Sequence, residues 1–150
     1  MEINDVSIEI GSRMYGSFKG IQNTPSHVLA EFVDNALQSY RENAKRLHEL
    51  EPDHKLVVSI DAEWDESSDR AKTVTIKDNA GGIASNRYIN AFMPAKIPEN
   101  NQGLNEKGMG MKTAACWLGN TWLVKTAALG EIYERVLSFD LDTVVEQELT

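Results

Sequence analysis

The sequence predicts an α/β (α+β) two-layer sandwich, in which helices pack on one face of a mostly antiparallel, mixed sheet. The prediction rests on two observations. Segments with apolar residues at helical spacing and segments with alternating apolar residues follow one another as helix, two strands, helix, loop, helix and two strands. Strands that come in pairs, rather than alternating singly with helices, favour an antiparallel sheet with the helices on one side.

The first predicted element is a long helix over residues 25–50. Thr24 followed by Pro25 is typical of a helix start, because proline fits the first helical position. Apolar residues recur at helical spacing through the segment, and Pro52 ends it.

Alternating apolar residues predict strands over 55–64 and 72–78, joined by a polar turn, and a short edge strand at 6–10. A helix over 85–93 follows, with Ser85 as its expected N-cap. The next segment, 94–107, is rich in Gly, Pro and Asn, and a loop of this length is typically a functional lid or disordered.

The last predicted elements are a short buried helix over 111–119 and a hairpin whose strands flank Gly130. We expect residues 1–150 to form one domain that is incomplete at its C-terminus and belongs to a longer protein, because no clear terminal element follows the last strand.

Charge and composition narrow the function classes. Fifteen Lys and Arg against 23 Asp and Glu give a formal net charge of −8, which argues against direct nucleic-acid binding by this domain. Cys116 is the single cysteine, so an internal disulfide is excluded and a reducing compartment is favoured. Since neither a signal peptide nor an apolar run near ~20 residues is found, we expect a cytoplasmic protein with no membrane partner.

The long helix carries the first candidate motif, Glu31, Asp34 and Asn35, in the segment EFVDNA. Spacings of three and four put these side chains on one face, and Val33 is among the apolar residues expected to point into the core. The triplet can be a solvated polar stripe, or it can present a general base beside a metal-ligating oxygen.

The second motif is the segment DNAGGI at the end of a predicted strand. The Asp78 carboxylate can accept a hydrogen bond from an amino group such as that of adenine. Gly81 and Gly82 lack side chains, so a flat ring could approach the backbone closely. A plain turn is the alternative.

The third motif is GLNEKGMGMKTA, in which Gly108 and Gly110 precede a predicted helix. Backbone N–H groups at such a place can receive phosphate oxygens. The segment is not a P-loop, because Met109 stands where that motif requires Lys. It is not a Rossmann fingerprint either, because Thr113 stands where the last Gly is expected.

Together and in this order, the three motifs resemble the N, G1 and G2 boxes of the GHKL superfamily, which includes DNA gyrase B, the large heat-shock chaperones, histidine kinases and the mismatch-repair MutL proteins. The resemblance covers residues 24–126 and implies the Bergerat ATP-binding fold, with ATP and Mg²⁺ as ligands. Two of its segments, AEFVDNA and GMGMKTA, most resemble the corresponding motifs of ATPases of the MORC and heat-shock-chaperone type.

This resemblance implies roles for individual residues. Glu31 matches the acid that activates the attacking water, Asn35 the amide that binds Mg²⁺, and Asp34 a supporting residue of the ATP site. Residues 94–107 match the ATP lid. Gly108 and Gly110 match the glycines whose amides meet the phosphates, and Lys112 could add a cation there. The ATP-binding residues implied within the third motif are Lys107, Gly108, Met109, Gly110, Met111, Lys112 and Thr113.

For the base, the resemblance implies that Asp78 holds the adenine amino group and that Gly82 and Ile83 lie against the ring. One position departs from the family pattern, because Ala80 occupies the place of the first glycine of the G1 box. We expect a slightly altered turn, with strain if that position requires a positive φ.

The implied function is Mg²⁺-dependent ATP binding and hydrolysis that drives a conformational or dimerisation cycle. Histidine kinases typically have Asn where this chain has Glu31, which favours hydrolysis over phosphate transfer to protein. A lysine downstream of this domain would complete the γ-phosphate site, and downstream regions would form a nucleotide-dependent homodimer. The alternatives are an ATP-sensing module without significant turnover and a structural interaction domain.

Overall fold

The computed structural model describes residues 24–88, residue 91 and residues 109–140. Its elements are α1 (Pro25–Leu50), β1 (Val58–Asp65), β2 (Arg70–Asp78), a 3₁₀ helix (Ser85–Arg87), α2 (Met109–Leu118), β3 (Thr121–Thr126) and β4 (Arg135–Asp140). This order confirms the predicted succession of helices and strand pairs. The predicted strand at 6–10 and the predicted lid at 94–107 lie outside the described residues.

α1 begins where the sequence predicts, because Thr24 caps it. The Thr24 side chain accepts a hydrogen bond from the backbone N–H of His27 at 3.3 Å, and Pro25 occupies the first helical position. The expectation that Val33 points into the core is wrong, since 37% of its surface is exposed. Val33 lies about 60° around the helix from the buried Ala36, at the margin of the buried face.

The strands form two antiparallel pairs. In the first, Ile60 lies opposite Ile76, and the register shifts between Glu63 and Trp64. In the second, Val124 lies opposite Leu137, and Gly130 in the connecting turn has a φ of +84° that suits glycine. Within the described ranges each pair is a separate two-stranded sheet, and the α+β class with antiparallel pairing is confirmed.

α2 lies between α1 and the second strand pair. It contacts α1 directly, and its Cys116 joins Phe139 of β4 in the buried core. The rings of Trp122 and Phe139 stack with centroids 3.9 Å apart. Neither α1 nor α2 has both the length and the apolar character that crossing a membrane would need.

The predicted helix over 85–93 begins differently from the expectation. Ser85 is the first residue of the 3₁₀ helix rather than its N-cap, and Ala84 in the cap position makes no side-chain hydrogen bond. The Ser85 N–H instead approaches a carboxylate oxygen of Glu131 at 3.4 Å. Arg135 of β4 donates to the other oxygen of this carboxylate, which lowers the pKa of the Glu131 carboxyl. Glu131 thus links the start of the 3₁₀ helix to β4.

Candidate functional site

The loop over residues 78–83, here called the glycine loop, is held against α1. The backbone N–H of Gly81 donates to the Ser39 hydroxyl at 3.2 Å. A Cβ on Gly81 would lie 2.5 Å from Cγ of Asn43, and Asn43 is itself fixed by a bond from its Nδ2 to the Ser39 carbonyl oxygen at 2.8 Å. Glycine is therefore required at position 81 because side chains of α1 occupy the adjacent space.

The other side of the glycine loop is bound to the end of β3. The backbone N–H of Ile83 donates to Thr126 Oγ1 at 2.9 Å, and Thr126 is buried. The N–H of Leu129 donates to the Gly81 carbonyl oxygen at 3.0 Å. The hydroxyl of the last residue of β3 and a backbone amide of the turn that follows it thus bind the loop at Ile83 and Gly81.

Gly82 needs to be glycine for conformational and steric reasons. Its φ is +67°, and a Cβ there would lie 2.7 Å from the carbonyl carbon of Ala127. The strain considered for Ala80 is absent, since Asp69 is the one non-glycine residue with positive φ among those that the structure describes. The chain makes its left-handed turn at position 82, so alanine is tolerated two residues earlier.

Asp78 is exposed at the end of β2, and its own backbone holds its carboxylate in place. One carboxylate oxygen, Oδ1, accepts the N–H of Ala80 at 2.9 Å, as in other Asx turns. The second oxygen takes no part in that bond. An oriented, exposed acceptor beside two glycines suits the amino group of a flat heterocycle, and the adenine contact itself stays a prediction.

Four polar residues follow one ridge of α1, each four residues from the next: Glu31, Asn35, Ser39 and Asn43. Side chains with this spacing are neighbours on a helix surface. Ser39 and Asn43 contact the glycine loop, so Asn35 lies one turn, about 6 Å, from a residue that binds the loop. The first two predicted motifs therefore meet on one side of α1.

Asp34 lies outside this ridge. It is exposed, and its side chain is rotated by about 100° around the helix from that of the adjacent Asn35. Its predicted supporting role in ATP binding stays a prediction.

Asn35 carries a buried polar atom that lacks a partner. Its Nδ2 has no hydrogen-bond partner within the described part of the chain, and an unpaired buried donor costs about 1–3 kcal/mol. Such atoms in a native structure call for an explanation, and a bound group is one. The Asn35 side chain offers an oxygen, the ligand type that Mg²⁺ prefers, and N–H groups for a phosphate oxygen. Its donor set therefore fits a Mg²⁺–phosphate group.

The described part of the third motif forms the start of α2. The helix begins at Met109, so Gly110 lies within its first turn rather than before it. Backbone N–H groups of a first helical turn have no acceptor within the helix, so the amides from Met109 to Lys112 suit an anionic ligand. Lys107 and Gly108 lie outside the described residues.

Two predicted ligand contacts, Ile83 and Met111, lie in the core between α2 and the second hairpin. Both pack against the buried pair Cys116 and Phe139, and Thr113 of the same helix is half-buried. Ile83 and Met111 thus tie the glycine loop and the start of α2 to one apolar cluster. Contact of these three residues with a nucleotide stays a prediction.

Three residues that support the glycine loop were not predicted from the sequence: Ser39, Asn43 and Thr126. For the first two a signal was present, because they continue the four-residue spacing that Glu31 and Asn35 begin. For Thr126 the local spacing carried none, since its bond to Ile83 joins positions 43 residues apart.

Comparison with known proteins adds one finding. A family model described as histidine kinase-, DNA gyrase B- and HSP90-like ATPase matches residues 23–149. Searches of curated proteins and of solved structures gave no significant match. The matched range includes α1, the glycine loop and α2.

Proposed function

The chain belongs to the family of histidine kinase-, DNA gyrase B- and HSP90-like ATPases, whose members bind ATP, and we propose that it hydrolyses ATP with Mg²⁺ to drive a conformational or dimerisation cycle. The observation that carries the proposal is the ridge of α1. It brings a carboxylate, Glu31, and an amide, Asn35, into line with the residues that bind the glycine loop.

The bound nucleotide would lie along this ridge with its base at the glycine loop. Asp78 would accept the adenine amino group, and the loop backbone would lie under the ring. The phosphates would then extend toward the N-terminal half of α1, where Asn35 would hold Mg²⁺ through its amide oxygen. Mg²⁺ neutralises the charge that develops on the phosphate oxygens during transfer.

Glu31 would act as the general base. It lies one turn beyond Asn35, is exposed, and carries a carboxylate that can take a proton from water near the γ-phosphate. The first-turn amides of α2 and Lys112 would bind phosphate oxygens. We place the protein in the cytoplasm, which its single cysteine supports.

The test is hydrolysis and binding by wild type and Glu31→Ala, in the longest form of the protein that can be produced. We expect hydrolysis to fall by about 10²–10⁴, with ADP affinity unchanged by calorimetry. Glu49→Ala is the matched control, because Glu49 is an exposed acid on the same helix that approaches Lys45 at 4.0 Å.

A Glu31→Ala variant that hydrolyses ATP like wild type would refute the role of Glu31. If wild type binds ATP without turnover, the domain is an ATP sensor instead. Asn35→Ala distinguishes metal binding from general-base catalysis, because it should weaken Mg-ATP binding and reduce the gain in affinity on adding Mg²⁺. Equal affinities of wild type and Asn35→Ala for Mg-ATP would exclude Asn35 as the metal ligand.

A further inference from the structure

Asn79, which directly follows Asp78, bonds through all four of its polar groups to the segment that leads into β1. Its N–H donates to the Val57 carbonyl oxygen at 3.3 Å, and its Oδ1 accepts the Val57 N–H at 2.7 Å. Its Nδ2 donates to the Lys55 carbonyl oxygen at 2.9 Å. Its own carbonyl oxygen lies 3.1 Å from His54 Nε2, which donates because a carbonyl oxygen can only accept.

His54 is suited to hold that carbonyl in place. Its side chain is only 9% exposed, and its ring stacks on Tyr40 of α1 with centroids 6.0 Å apart. Its Nδ1 lies 3.0 Å from a carboxylate oxygen of Glu51. A largely buried ring that is stacked on α1 and bonded at Nε2 to the Asn79 carbonyl oxygen has little freedom to turn.

We propose that His54 and Asn79 form a clamp that positions the Asp78 carboxylate and thereby sets the preference of the site for adenine over guanine. The inference rests on the proposed function, because it takes Asp78 as the acceptor for the adenine amino group. His54 and Asn79 are positioning residues that act through Asp78.

The physical reason is the difference between the two bases at one ring position. Adenine presents an amino donor where guanine presents a carbonyl oxygen. A carboxylate that is fixed there accepts a hydrogen bond from the adenine amino group. It repels the guanine oxygen, because both groups are acceptors. A carboxylate that can swing away avoids the opposition, so the loss of the clamp should weaken discrimination as well as affinity.

The clamp and the Asx turn both act on Asp78 through the two residues that follow it. The Ala80 N–H holds Oδ1 at 2.9 Å, while the four bonds of Asn79 hold the peptide that follows Asp78. If the side-chain bonds of His54 and Asn79 are lost, Asp78 stays paired with Val58 in the sheet. The peptide that follows Asp78 then loses its bonds to His54 and Lys55, and the Asx turn alone orients the carboxylate.

The experiment measures ADP and GDP affinities of the full chain by calorimetry for wild type, His54→Ala, His54→Gln and Asn79→Ala, each well below its thermal unfolding midpoint. One lost hydrogen bond corresponds to about threefold to tenfold in affinity. We expect ADP affinity to fall by this factor in His54→Ala and Asn79→Ala and the ratio of ADP to GDP affinity to fall with it. His54→Gln keeps an N–H donor on its side chain and should restore the ratio.

His48→Ala is the matched control. His48 is a histidine of the same aromatic cluster, 3.5 Å from the Tyr40 hydroxyl, and it makes no bond to Asn79. Its replacement should leave the ratio of affinities unchanged.

An unchanged ratio in both His54→Ala and Asn79→Ala would overturn the inference, even if both affinities fall together, because the two residues would then only stabilise the fold. A wild type that binds ADP and GDP equally would overturn it as well. A wild type that binds neither nucleotide would instead refute the proposed function.

Discussion

The glycine loop and the N-terminal half of the α1 ridge differ in how their polar groups are paired. The loop is bound to three segments: to Ser39 of α1, to Thr126 of β3 and, through Asn79, to Val57 before β1. On the ridge, Glu31 is exposed and the buried Nδ2 of Asn35 has no partner among the described residues. In the part that we assign to the base, hydrogen bonds within the protein hold the loop. In the part that we assign to the phosphates, the side chains present polar groups suited to a ligand.

This difference implies that substitutions in the two regions should have separable effects. A change in the glycine loop should lower the free energy of unfolding as well as nucleotide affinity, because the loop is part of the packed structure. A change at Glu31, which is exposed on the ridge, should alter hydrolysis and leave the free energy of unfolding almost unchanged.

The largest effect on stability is expected for Gly82→Ala. A Cβ there meets the backbone of Ala127 and Ala128, and the φ of +67° disfavours alanine, so we expect a loss of about 2–4 kcal/mol in the free energy of unfolding. Chemical denaturation measures it. Gly119→Ala is the control, since its Cβ would have its nearest neighbour at 3.7 Å. Equal denaturation midpoints for the two variants would contradict the requirement for glycine at position 82.

Asp78→Asn should affect binding more than stability. The asparagine can still accept the Ala80 N–H through its Oδ1, so the turn persists, but its amide N–H groups would face the adenine amino group. An unpaired polar group of this kind costs about 1–3 kcal/mol of ADP binding, measured by calorimetry. Asp61→Asn, at an exposed position in β1, should bind like wild type, and the adenine assignment fails if both variants do.

Thr126→Val tests the bond between β3 and the loop. Valine has nearly the shape of threonine but cannot accept the Ile83 N–H, so we expect a loss of about 1 kcal/mol in the free energy of unfolding. Thr121→Val, on the exposed face of the same strand, should not share this loss. If the two variants have equal stability, the Thr126 hydroxyl does not anchor the loop.

The smallest effect on stability is expected on the ridge. Glu31→Ala should change the free energy of unfolding by no more than about 0.5 kcal/mol, because an exposed side chain is removed and alanine favours the helix. Thermal or chemical unfolding measures it alongside the hydrolysis assay. A loss comparable to that of Gly82→Ala would mean that the carboxylate serves the fold.

Elements with a strong local pattern could be predicted from the sequence. α1 begins at the predicted proline because its cap and first residue are neighbours in the chain, and β1 and β2 lie close to the predicted ranges because their apolar residues alternate. The exposure of Val33 could not be predicted, since a position at the margin of a helix face is buried or exposed according to what packs beside it.

The candidate site was predictable where its residues are close together in sequence. Glu31 and Asn35 are one turn apart, and Asp78 lies three residues before Gly81. The supports of the glycine loop come from distant segments, as with Gly81 and Ser39, which are 42 residues apart. Local spacing places Ser39 on the same ridge as Asn35, but it does not indicate that Ser39 binds Gly81. The loop could therefore be predicted, while its contacts with distant residues could not.

The ridge of α1 also makes the domain sensitive to changes in chain length. Because Asn35 and Ser39 belong to one continuous helix, their relative position is determined by covalent geometry. One residue inserted between them would rotate Asn35 by about 100° relative to Ser39. The helix would survive such an insertion, yet the amide would leave the side that bears the glycine loop. Substitutions should therefore be tolerated along much of this segment, and single-residue insertions or deletions should not be.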